Sequence, residues 1–462
     1  MSTTVDVVVI GGGPVGENAA ARAVEHGLSA ALVESELLGG ECSYWACMPS
    51  KALLRPGEVL AAARAVPAAA AAVTGEVDAT RALSSRDAFS SLDDTGQAEW
   101  VESAGVRLVR GHGRLAGPRH VTVTRPDGAH EELHATRAVV VATGTRAAVP
   151  PIPGLAEAGA WTNREATQTK EVPERLGVIG GGVVGVELAQ AFARLGSRKV
   201  ILAEAADRLL SNEEPFVADD VAAALADDGV EVRLGAAIEE VRRPAPDAPV
   251  TLSLGDERVE VDEVLVATGR RPRTDDLGLE HVGLEPGAFI GVDDQLRAAG
   301  VDGDWLYAVG DVNGRALLTH MGKHQARIVA DVLAGRSASS WVDHGAVTRV
   351  VFTDPQVAAV GHTEASARDA GLAVRTLEVG TLANAGGALA GKGLRGTTKA
   401  IVDDDRDVLV GATLTGPGVG EMLHAATIAI VGEVPLSQLW HAVPAFPTVS
   451  ELWLRLLEQD GW

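Results

Sequence analysis

Cys42 and Cys47 are the only cysteines in the 462 residues, and they stand five positions apart. A secreted disulfide framework would need more cysteines, spread more widely along the chain. The close pair therefore indicates either redox chemistry or a metal site. A metal site would need further soft ligands nearby, and the neighbouring sequence offers none. We interpret the pair as redox-active and predict no metal site.

Two glycine-rich segments have the spacing Gly-x-Gly-x-x-Gly, which lets the backbone approach a pyrophosphate and aims a helix N-terminus at its negative charge. Each segment is followed by a helical stretch, an apolar run and a glutamate that can bind a ribose hydroxyl. The first copy comprises Gly11, Gly13, Pro14, Gly16 and Glu34, and the second comprises Gly180, Gly182, Gly185 and Glu204. Two complete copies predict two dinucleotide-binding units in one chain.

Glu204 also bears on the choice of nicotinamide cofactor. A carboxylate at this position would repel the 2′-phosphate of NADP. Arg198, Lys199 and Arg208 lie close by in the sequence and could soften that preference. The sequence therefore predicts an NAD(P)H site with NADH favoured.

The elements that must position these residues follow a repeated order. In each copy an apolar run, the glycine-rich turn, a helix and a second apolar run form the opening of a parallel βαβ unit. Two similar segments, 138–144 and 262–269, close the two blocks, and beyond Gly335 short strands precede a helix near 420–431. The predicted fold is α/β, with two Rossmann-like dinucleotide-binding domains and a C-terminal α+β domain.

The charge of the chain limits its partners. Its formal net charge is −23, which argues against nucleic acid or an anionic membrane, because both are bound by a basic surface. The N-terminal segment reads as a buried strand and not as a signal peptide, and no stretch of about 18 apolar residues is free of glycine or charge. The expectation is a cytoplasmic protein with no membrane span.

The segment around the cysteines resembles a known family. It reads Gly-Gly-Glu-Cys-Ser-Tyr-Trp-Ala-Cys-Met-Pro-Ser-Lys over 39–51, which is similar to the G-G-T-C-x-x-x-x-C-x-P-S-K pattern of the flavoprotein disulfide reductases. Ala142-Thr-Gly, Ala267-Thr-Gly-Arg-Arg-Pro and Leu306-Tyr-Ala-Val-Gly-Asp match the same family, as does Val351-Phe-Thr-Asp-Pro. The resemblance covers essentially the whole chain, with Glu41 in place of the usual Thr. It implies a homodimeric enzyme that passes electrons between NAD(P)H, FAD and a Cys42–Cys47 disulfide.

The resemblance also implies roles for individual residues. Cys47 would lie on the flavin side at the start of a helix, where a thiolate is favoured, and Cys42 would attack or release the substrate sulfur. Lys51 would lie near the flavin N5 and pair with Glu187, and Asp311 would accept from the flavin ribitol. Further cofactor contacts are implied at Gly40, Glu41, Gly113, Ala142, Thr143, Gly144, Gly269, Arg270, Gly310 and His320.

Within the family, the chain looks most like dihydrolipoamide dehydrogenase. Glutathione reductases usually carry Tyr where Val183 stands and basic residues where Glu204 stands. The chain also has no C-terminal cysteine pair, which weighs against a standard mercuric reductase. The implied substrate is therefore a small-molecule disulfide or dithiol.

The main departure from the family lies near the C-terminus. The family's His-Pro-Thr motif, whose histidine serves the partner subunit's disulfide as acid–base catalyst, is Phe446-Pro-Thr here. Phenylalanine carries no proton, while Glu451, which orients the histidine in the family, is retained. His441 is a candidate substitute by proximity, although an interface or surface role for it is favoured. An atypical substrate is therefore expected.

The expected domain limits are 1–149 with 275–340 for FAD, 150–274 for NAD(P)H and 341–462 for dimerisation, the partner's C-terminal domain completing the active site. Two alternatives remain open. One is a reductase of quinones, metal ions or dyes, which would not need the missing base. The other is a non-catalytic flavin-binding assembly subunit, against which the intact cysteine pair weighs.

Overall fold

The computed structural model describes residues 2–462, which fall into two compact units. The first unit takes in the chain up to Pro49, together with Ala88–Ala148 and Arg270–Asp343. The second takes in Ser50–Asp87, Val149–Gly269 and His344–Trp462. Each unit therefore draws on three separate stretches of the sequence.

The strands are short and spread over the whole chain. In chain order they are β1 Ser2–Ile10, β2 Ala30–Glu34, β3 Arg107–Arg110, β4 His112–Gly117, β5 His120–Thr124, β6 His130–Val141, β7 Thr145–Ala147, β8 Arg175–Ile179, β9 Lys199–Ala203, β10 Val230–Arg233, β11 Glu240–Arg242, β12 Val250–Leu254, β13 Glu257–Val261, β14 Glu263–Val266, β15 Arg270–Pro272, β16 Leu306–Ala308, β17 Thr348–Val351, β18 Gln356–Gly361, β19 Val374–Gly380, β20 Thr397–Asp403 and β21 Val408–Gly416.

In the part of the chain that the structure describes, fifteen α-helices lie between or after these strands. In chain order they are α1 Pro14–Glu25, α2 Gly40–Tyr44, α3 Cys47–Ala65, α4 Pro67–Ala70, α5 Ala79–Phe89, α6 Thr95–Ser103, α7 Asn163–Gln168, α8 Val183–Arg194, α9 Pro215–Asp227, α10 Thr319–Leu333, α11 Glu364–Asp369, α12 Ala385–Ala390, α13 Val419–Val431, α14 Leu436–Leu439 and α15 Leu452–Gln459. Short 3-10 helices lie at Leu279–Val282, Gly310–Asn313, Trp341–His344 and Val449–Glu451. Nowhere in 2–462 is a helix both long and apolar enough to cross a membrane.

The first unit is built on a mainly parallel sheet. Its strands lie in the order β3-β2-β1-β6, with β16 also beside β6, and these neighbours are parallel. β5 and β4 extend the sheet in antiparallel fashion. The last four residues of β1 are buried, as expected for a parallel strand covered on both faces. Because Ile10 pairs with Val33, the first glycine-rich turn and Glu34 leave the sheet at the same edge.

The second unit repeats this arrangement. Its parallel strands lie in the order β10-β9-β8-β14, beside a small antiparallel sheet of β11, β12 and β13. Ile179 pairs with Ala203, so the second glycine-rich turn and Glu204 also share one edge. The carboxyl ends of parallel strands are where such sheets bind ligands.

The C-terminal part of the second unit has a different architecture. Five strands form an antiparallel sheet in the order β17-β18-β21-β20-β19, and α13 packs against β18 and β21. β21 is buried along its whole length, including Thr413 and Thr415. Together the sheets confirm the predicted α/β fold, with two glycine-rich βαβ units and an α+β C-terminal domain.

Candidate active site

The first glycine-rich turn closes only because its glycines lack side chains. A Cβ on Gly16 would lie 1.8 Å from the carbonyl oxygen of Gly11, and Gly11 itself has a φ of +103°. Gly13 is different, because its φ is −69° and a Cβ there would meet no atom of the described chain within 4 Å. The turn is therefore tight against the protein at Gly11 and Gly16 and open at Gly13, where a pyrophosphate would approach.

Glu34 is held at the mouth of this turn. Its Oε2 accepts from the amide of Gly12 at 2.6 Å, and its Oε1 accepts from the amide of Glu36 at 2.6 Å. Burial is the main cause that raises the pKa of this carboxyl above its usual value, and the two amides oppose the shift. The carboxylate is therefore fixed beside the turn, and its binding of a ribose hydroxyl stays a prediction.

The second glycine-rich turn has the same close approach, positive φ and glutamate contacts as the first. A Cβ on Gly185 would lie 1.9 Å from the carbonyl oxygen of Gly180, whose φ is +108°, while Gly182 faces open space within the described chain. Glu204 accepts from the amides of Gly181 at 2.5 Å and Ala206 at 2.7 Å. The two segments that repeat in the amino-acid sequence therefore also share the same local structure.

Two buried polar atoms beside the first turn lack partners within residues 2–462. One is the Oγ1 of Thr143, which follows β6, and the other is the Oε1 of Glu17, in the first turn of α1. Burial raises the pKa of Glu17 to about 7. Native proteins satisfy nearly all buried polar groups, so this edge of the sheet has the donors and acceptors of a site that takes a polar ligand.

Asp311 lies in the 3-10 helix Gly310–Asn313, among polar neighbours of its own unit. The Oγ1 of Thr145 donates to its Oδ2 at 2.7 Å, and the Nε of Arg270 donates to Thr145 Oγ1 at 2.6 Å. Burial is the main cause that raises the pKa of Asp311. The carboxylate is therefore fixed in direction, as a contact to a ribitol hydroxyl requires.

The two cysteines lie in successive helices. Cys42 lies in α2 and Cys47 is the first residue of α3, and both are half-buried. The Cys47 sulfur lies 3.5 Å from Thr319 Oγ1. A helix N-terminus and a hydroxyl donor both favour a thiolate, which supports the role predicted for Cys47. Between them, Tyr44 and Trp45 pack edge to face with ring centroids 5.6 Å apart.

Lys51 and Glu187 meet as predicted. The Lys51 Nζ lies 2.7 Å from Glu187 Oε2, and the Glu187 side chain is only 3% exposed. Phe352 braces the pair, because its amide donates to Glu187 Oε1 at 2.9 Å and the Lys51 Nζ lies 4.8 Å from the centroid of its ring. The ammonium is therefore held from two sides within the second unit.

The C-terminal segment shows the consequence of the Phe446 departure. Phe446 is 77% exposed, and His441 is exposed as well. Glu451 ends the 3-10 helix Val449–Glu451, and its buried Oε2 finds no hydrogen-bond partner among the described residues. The family pattern implies that Glu451 would orient a histidine, and Phe446 stands where that histidine would be.

The remaining predicted contacts are distributed around the two turns. Gly40 is the first residue of α2, Gly113 lies in β4 and is buried, Arg270 begins β15, and His320 is exposed in the first turn of α10. Ala142 and Gly144 follow β6, Gly269 follows β14, and Gly310 precedes Asp311. The sequence predicts no individual role for Thr145 or Phe352, although Thr145 directly follows the Ala142-Thr-Gly motif and Phe352 lies within Val351-Phe-Thr-Asp-Pro.

Comparison with known proteins decides the family. The model of the pyridine nucleotide-disulphide oxidoreductases matches residues 5–326, and the model of their dimerisation domain matches residues 347–456. The chain belongs to the pyridine nucleotide-disulphide oxidoreductase family. The resemblance found in the sequence is confirmed, and the chain is an oxidoreductase of the flavoprotein disulfide reductase type. Members of the family bind FAD and a pyridine nucleotide, and the dimerisation domain supports homodimer formation in the family.

Individual relatives of this pyridine nucleotide-disulphide oxidoreductase span its whole length. Dihydrolipoyl dehydrogenase of Chlorobaculum tepidum is 35% identical, over 96% of this chain and 95% of its own. Mercuric reductase of Shigella flexneri is 33% identical, over 97% of this chain and 80% of its own. A solved Cu(II) complex of the HOCl-induced flavoprotein disulfide reductase RclA from Escherichia coli is 27% identical, with a TM-score of 0.84 and 99% of both chains covered.

Alanine at Gly13 and at Gly182 tests the two turns of this oxidoreductase against each other. Neither added methyl group meets another described atom within 4 Å, so each would occupy only the space that a pyrophosphate needs. We expect Gly182→Ala to raise the KM for NADH about five- to tenfold with FAD content unchanged, and Gly13→Ala to weaken FAD binding by a similar factor. Steady-state kinetics and flavin absorbance per chain measure the two effects. An unchanged KM for both nucleotides in Gly182→Ala would remove the nucleotide from that turn.

Proposed function

We propose that this protein is an NAD(P)H-dependent disulfide oxidoreductase, similar to dihydrolipoamide dehydrogenase, that works through a Cys42–Cys47 disulfide on an atypical acceptor. The observation that carries the proposal is the cysteine pair itself, with Cys47 at the N-terminus of α3 and Thr319 Oγ1 3.5 Å from its sulfur. In this proposal residues 1–149 with 275–340 would form the FAD domain, 150–274 the NAD(P)H domain and 341–462 the dimerisation domain. A homodimer would bring the C-terminal domain of each subunit to the active site of the other.

The residues of the chain divide the work between them. The first turn with Glu34, Thr143 and Asp311 would hold FAD, which when bound accepts a hydride from NAD(P)H and passes the electron pair to the disulfide. In the reduced pair Cys47 would be a thiolate, and Cys42 would attack the substrate disulfide and release its first thiol. Cys47 would then attack Cys42, which releases the second thiol and re-forms the Cys42–Cys47 disulfide. One NAD(P)H and one proton thereby reduce one disulfide to two thiols.

The acceptor must tolerate the missing base. A positioned acid–base group contributes about 10²- to 10⁴-fold in rate, and Phe446 supplies none. An acceptor whose leaving thiol has a low pKa, or which takes electrons without proton transfer from the protein, fits this site better than the disulfide of lipoamide. His441 remains a candidate base, and unchanged dithiol turnover in His441→Ala would remove it.

NADH is the proposed electron donor. Glu204 Oε1 and Oε2 are held by backbone amides, so the carboxylate cannot easily turn away from a ribose bound at the second turn. A fixed negative charge there repels a 2′-phosphate. We therefore expect a higher kcat/KM for NADH than for NADPH.

Anaerobic titration with each nucleotide tests the proposal. We expect NADH to reduce the flavin, and the electron pair to pass to the disulfide, so that long-wavelength absorbance develops between the Cys47 thiolate and the reoxidised flavin, with NADPH less effective. Cys47→Ser is the matched control, because its flavin has no disulfide to reduce and should stay bleached without that absorbance. A wild-type protein whose flavin spectrum neither NADH nor NADPH changes would overturn the proposal in favour of a non-catalytic role.

A reductase of metal ions or quinones is the second candidate. Two relatives favour it, the mercuric reductase of Shigella flexneri and the RclA protein solved as a Cu(II) complex, and neither class of substrate needs the base that Phe446 replaces. Cys42→Ser separates the two candidates. Quinone or metal-ion reduction that survives the substitution, with disulfide reduction lost, would favour this alternative.

A further inference from the structure

Glu41, which stands where the family usually carries Thr, lies directly beside the first glycine-rich turn. The amide of Gly39 donates to the carbonyl of Gly12 at 2.8 Å. A Cβ on Gly40 would lie 3.0 Å from the Cα of Gly13, the open position of the turn. The segment that carries Glu41 is therefore pinned to the place where a pyrophosphate would approach.

Two arginines of the same unit face this carboxylate. The Arg273 Nη2 donates to Glu41 Oε1 at 3.0 Å, and the Arg270 Nη2 lies 3.7 Å from Glu41 Oε2. Both guanidinium groups are also held by Thr145, whose carbonyl accepts from Arg273 Nε at 3.2 Å and from Arg270 Nη2 at 3.0 Å. The arginines are therefore fixed in place and are not freely mobile counter-ions.

The same contacts reach Asp311. Arg270 Nε donates to Thr145 Oγ1, which in turn donates to Asp311 Oδ2. The Glu41 side chain is 19% exposed and that of Arg270 is 20% exposed, so solvent screens their charges only partly. One polar network thus joins the residue before Cys42 to the predicted ribitol contact.

A carboxylate at this place is unfavourable for an anionic cofactor unless it is neutralised. Glu41 and a pyrophosphate would repel each other, and a nearby opposite charge offsets that repulsion. Arg273 makes the shorter contact of the two arginines to Glu41. Arg270 Nε also lies 3.9 Å from Asp311 Oδ2, so its charge is shared between Glu41 and Asp311.

We infer that Arg273 is a positioning residue for FAD, which neutralises Glu41 so that the cofactor can bind at the first glycine-rich turn. The inference rests on the proposed FAD-binding residues and adds to them a dependence of FAD affinity on this ion pair. Without Arg273, Glu41 would repel the pyrophosphate. In a variant that lacks both Glu41 and Arg273, the repulsion of the pyrophosphate would be absent and no neutralising charge would be needed.

A double-mutant cycle on Glu41 and Arg273 tests the inference, with the dissociation constant of FAD measured by flavin fluorescence during titration of the apoprotein. We expect Arg273→Gln to weaken FAD binding about tenfold when Glu41 is present, and by less than about threefold when it is made in the Glu41→Thr variant. High salt should reduce the loss of FAD affinity in Arg273→Gln, because salt screens part of the repulsion between Glu41 and the pyrophosphate.

Arg271→Gln is the matched control. Arg271 is the neighbouring arginine in β15, is half exposed and pairs with Asp275 at 3.4 Å, so its loss should leave FAD affinity unchanged. Equal weakening in Arg273→Gln and in the double variant would overturn the inference, since Arg273 would then act independently of Glu41. A wild-type protein that binds no FAD would instead overturn the proposed function.

Discussion

Phe446→His is expected to raise the rate of dihydrolipoamide oxidation about 10²-fold, because it restores a proton acceptor to a site that keeps its orienting carboxylate. Phe446 is 77% exposed within a single chain, so the substitution should remove little packing inside the subunit. The Oε2 of Glu451 is buried without a partner in the described chain. A histidine added five residues before it would give that carboxylate a group to hold.

The measurement is kcat for dihydrolipoamide as a function of pH. The new activity should rise as pH passes through about 6.5, the ordinary pKa of histidine, because only neutral imidazole accepts a proton. Phe446→Leu is the matched control and should remain as slow as wild type. The double variant Phe446→His with Glu451→Gln should lose most of the gain. A gain that survives in the double variant would show that Glu451 does not orient the new base.

Glu187→Gln is expected to slow flavin reduction by NADH about 10- to 30-fold. The variant keeps an acceptor for the amide of Phe352 but removes the charge that Lys51 faces at 2.7 Å. A hydrogen bond to a charged group is worth about 1.5–3 kcal/mol, and the lower part of that range applies because Lys51 is 34% exposed. About 1.4–2 kcal/mol in the barrier corresponds to this change in rate.

Stopped-flow absorbance of the flavin after mixing with NADH measures the effect of Glu187→Gln. Glu174→Gln is the control, since Glu174 also pairs with a basic residue, Arg198 at 3.4 Å, but both side chains are at least 70% exposed. An exposed pair contributes about 0–1 kcal/mol at most, so the control should match wild type. Equal rates in wild type and Glu187→Gln would remove the Lys51–Glu187 pair from the proposed mechanism.

Features encoded over short stretches of sequence could be predicted well. The two glycine-rich turns and their glutamates each depend on residues that are close in the chain and have specific backbone requirements, whereas the start of α3 at Cys47 is implied by the family resemblance. The Lys51–Glu187 pair joins residues 136 positions apart, and it could be named only because the chain resembles a known family. The confirmed fold followed from the repeated βαβ order.

The contacts that could not be predicted join distant segments through side chains that fit no motif. Glu41 and Arg273 are 232 positions apart, and neither local sequence indicates that they form an ion pair. The brace that Phe352 provides depends on the packing of β17 near Glu187, and a side chain's neighbours across a fold do not follow from periodicity. The unpartnered Glu451 likewise became visible only from burial.

The aromatic pair between the cysteines has a consequence for electron exchange. Tyr44 and Trp45 are 3% and 8% exposed, and the Tyr44 hydroxyl donates to the carbonyl of Asp93 at 3.3 Å. Close-packed side chains resist displacement, so the backbone between Cys42 and Cys47 is anchored to the core. Opening and closing of a disulfide there would be confined to rotations about the cysteine side chains. We therefore expect little backbone rearrangement when the disulfide opens and closes.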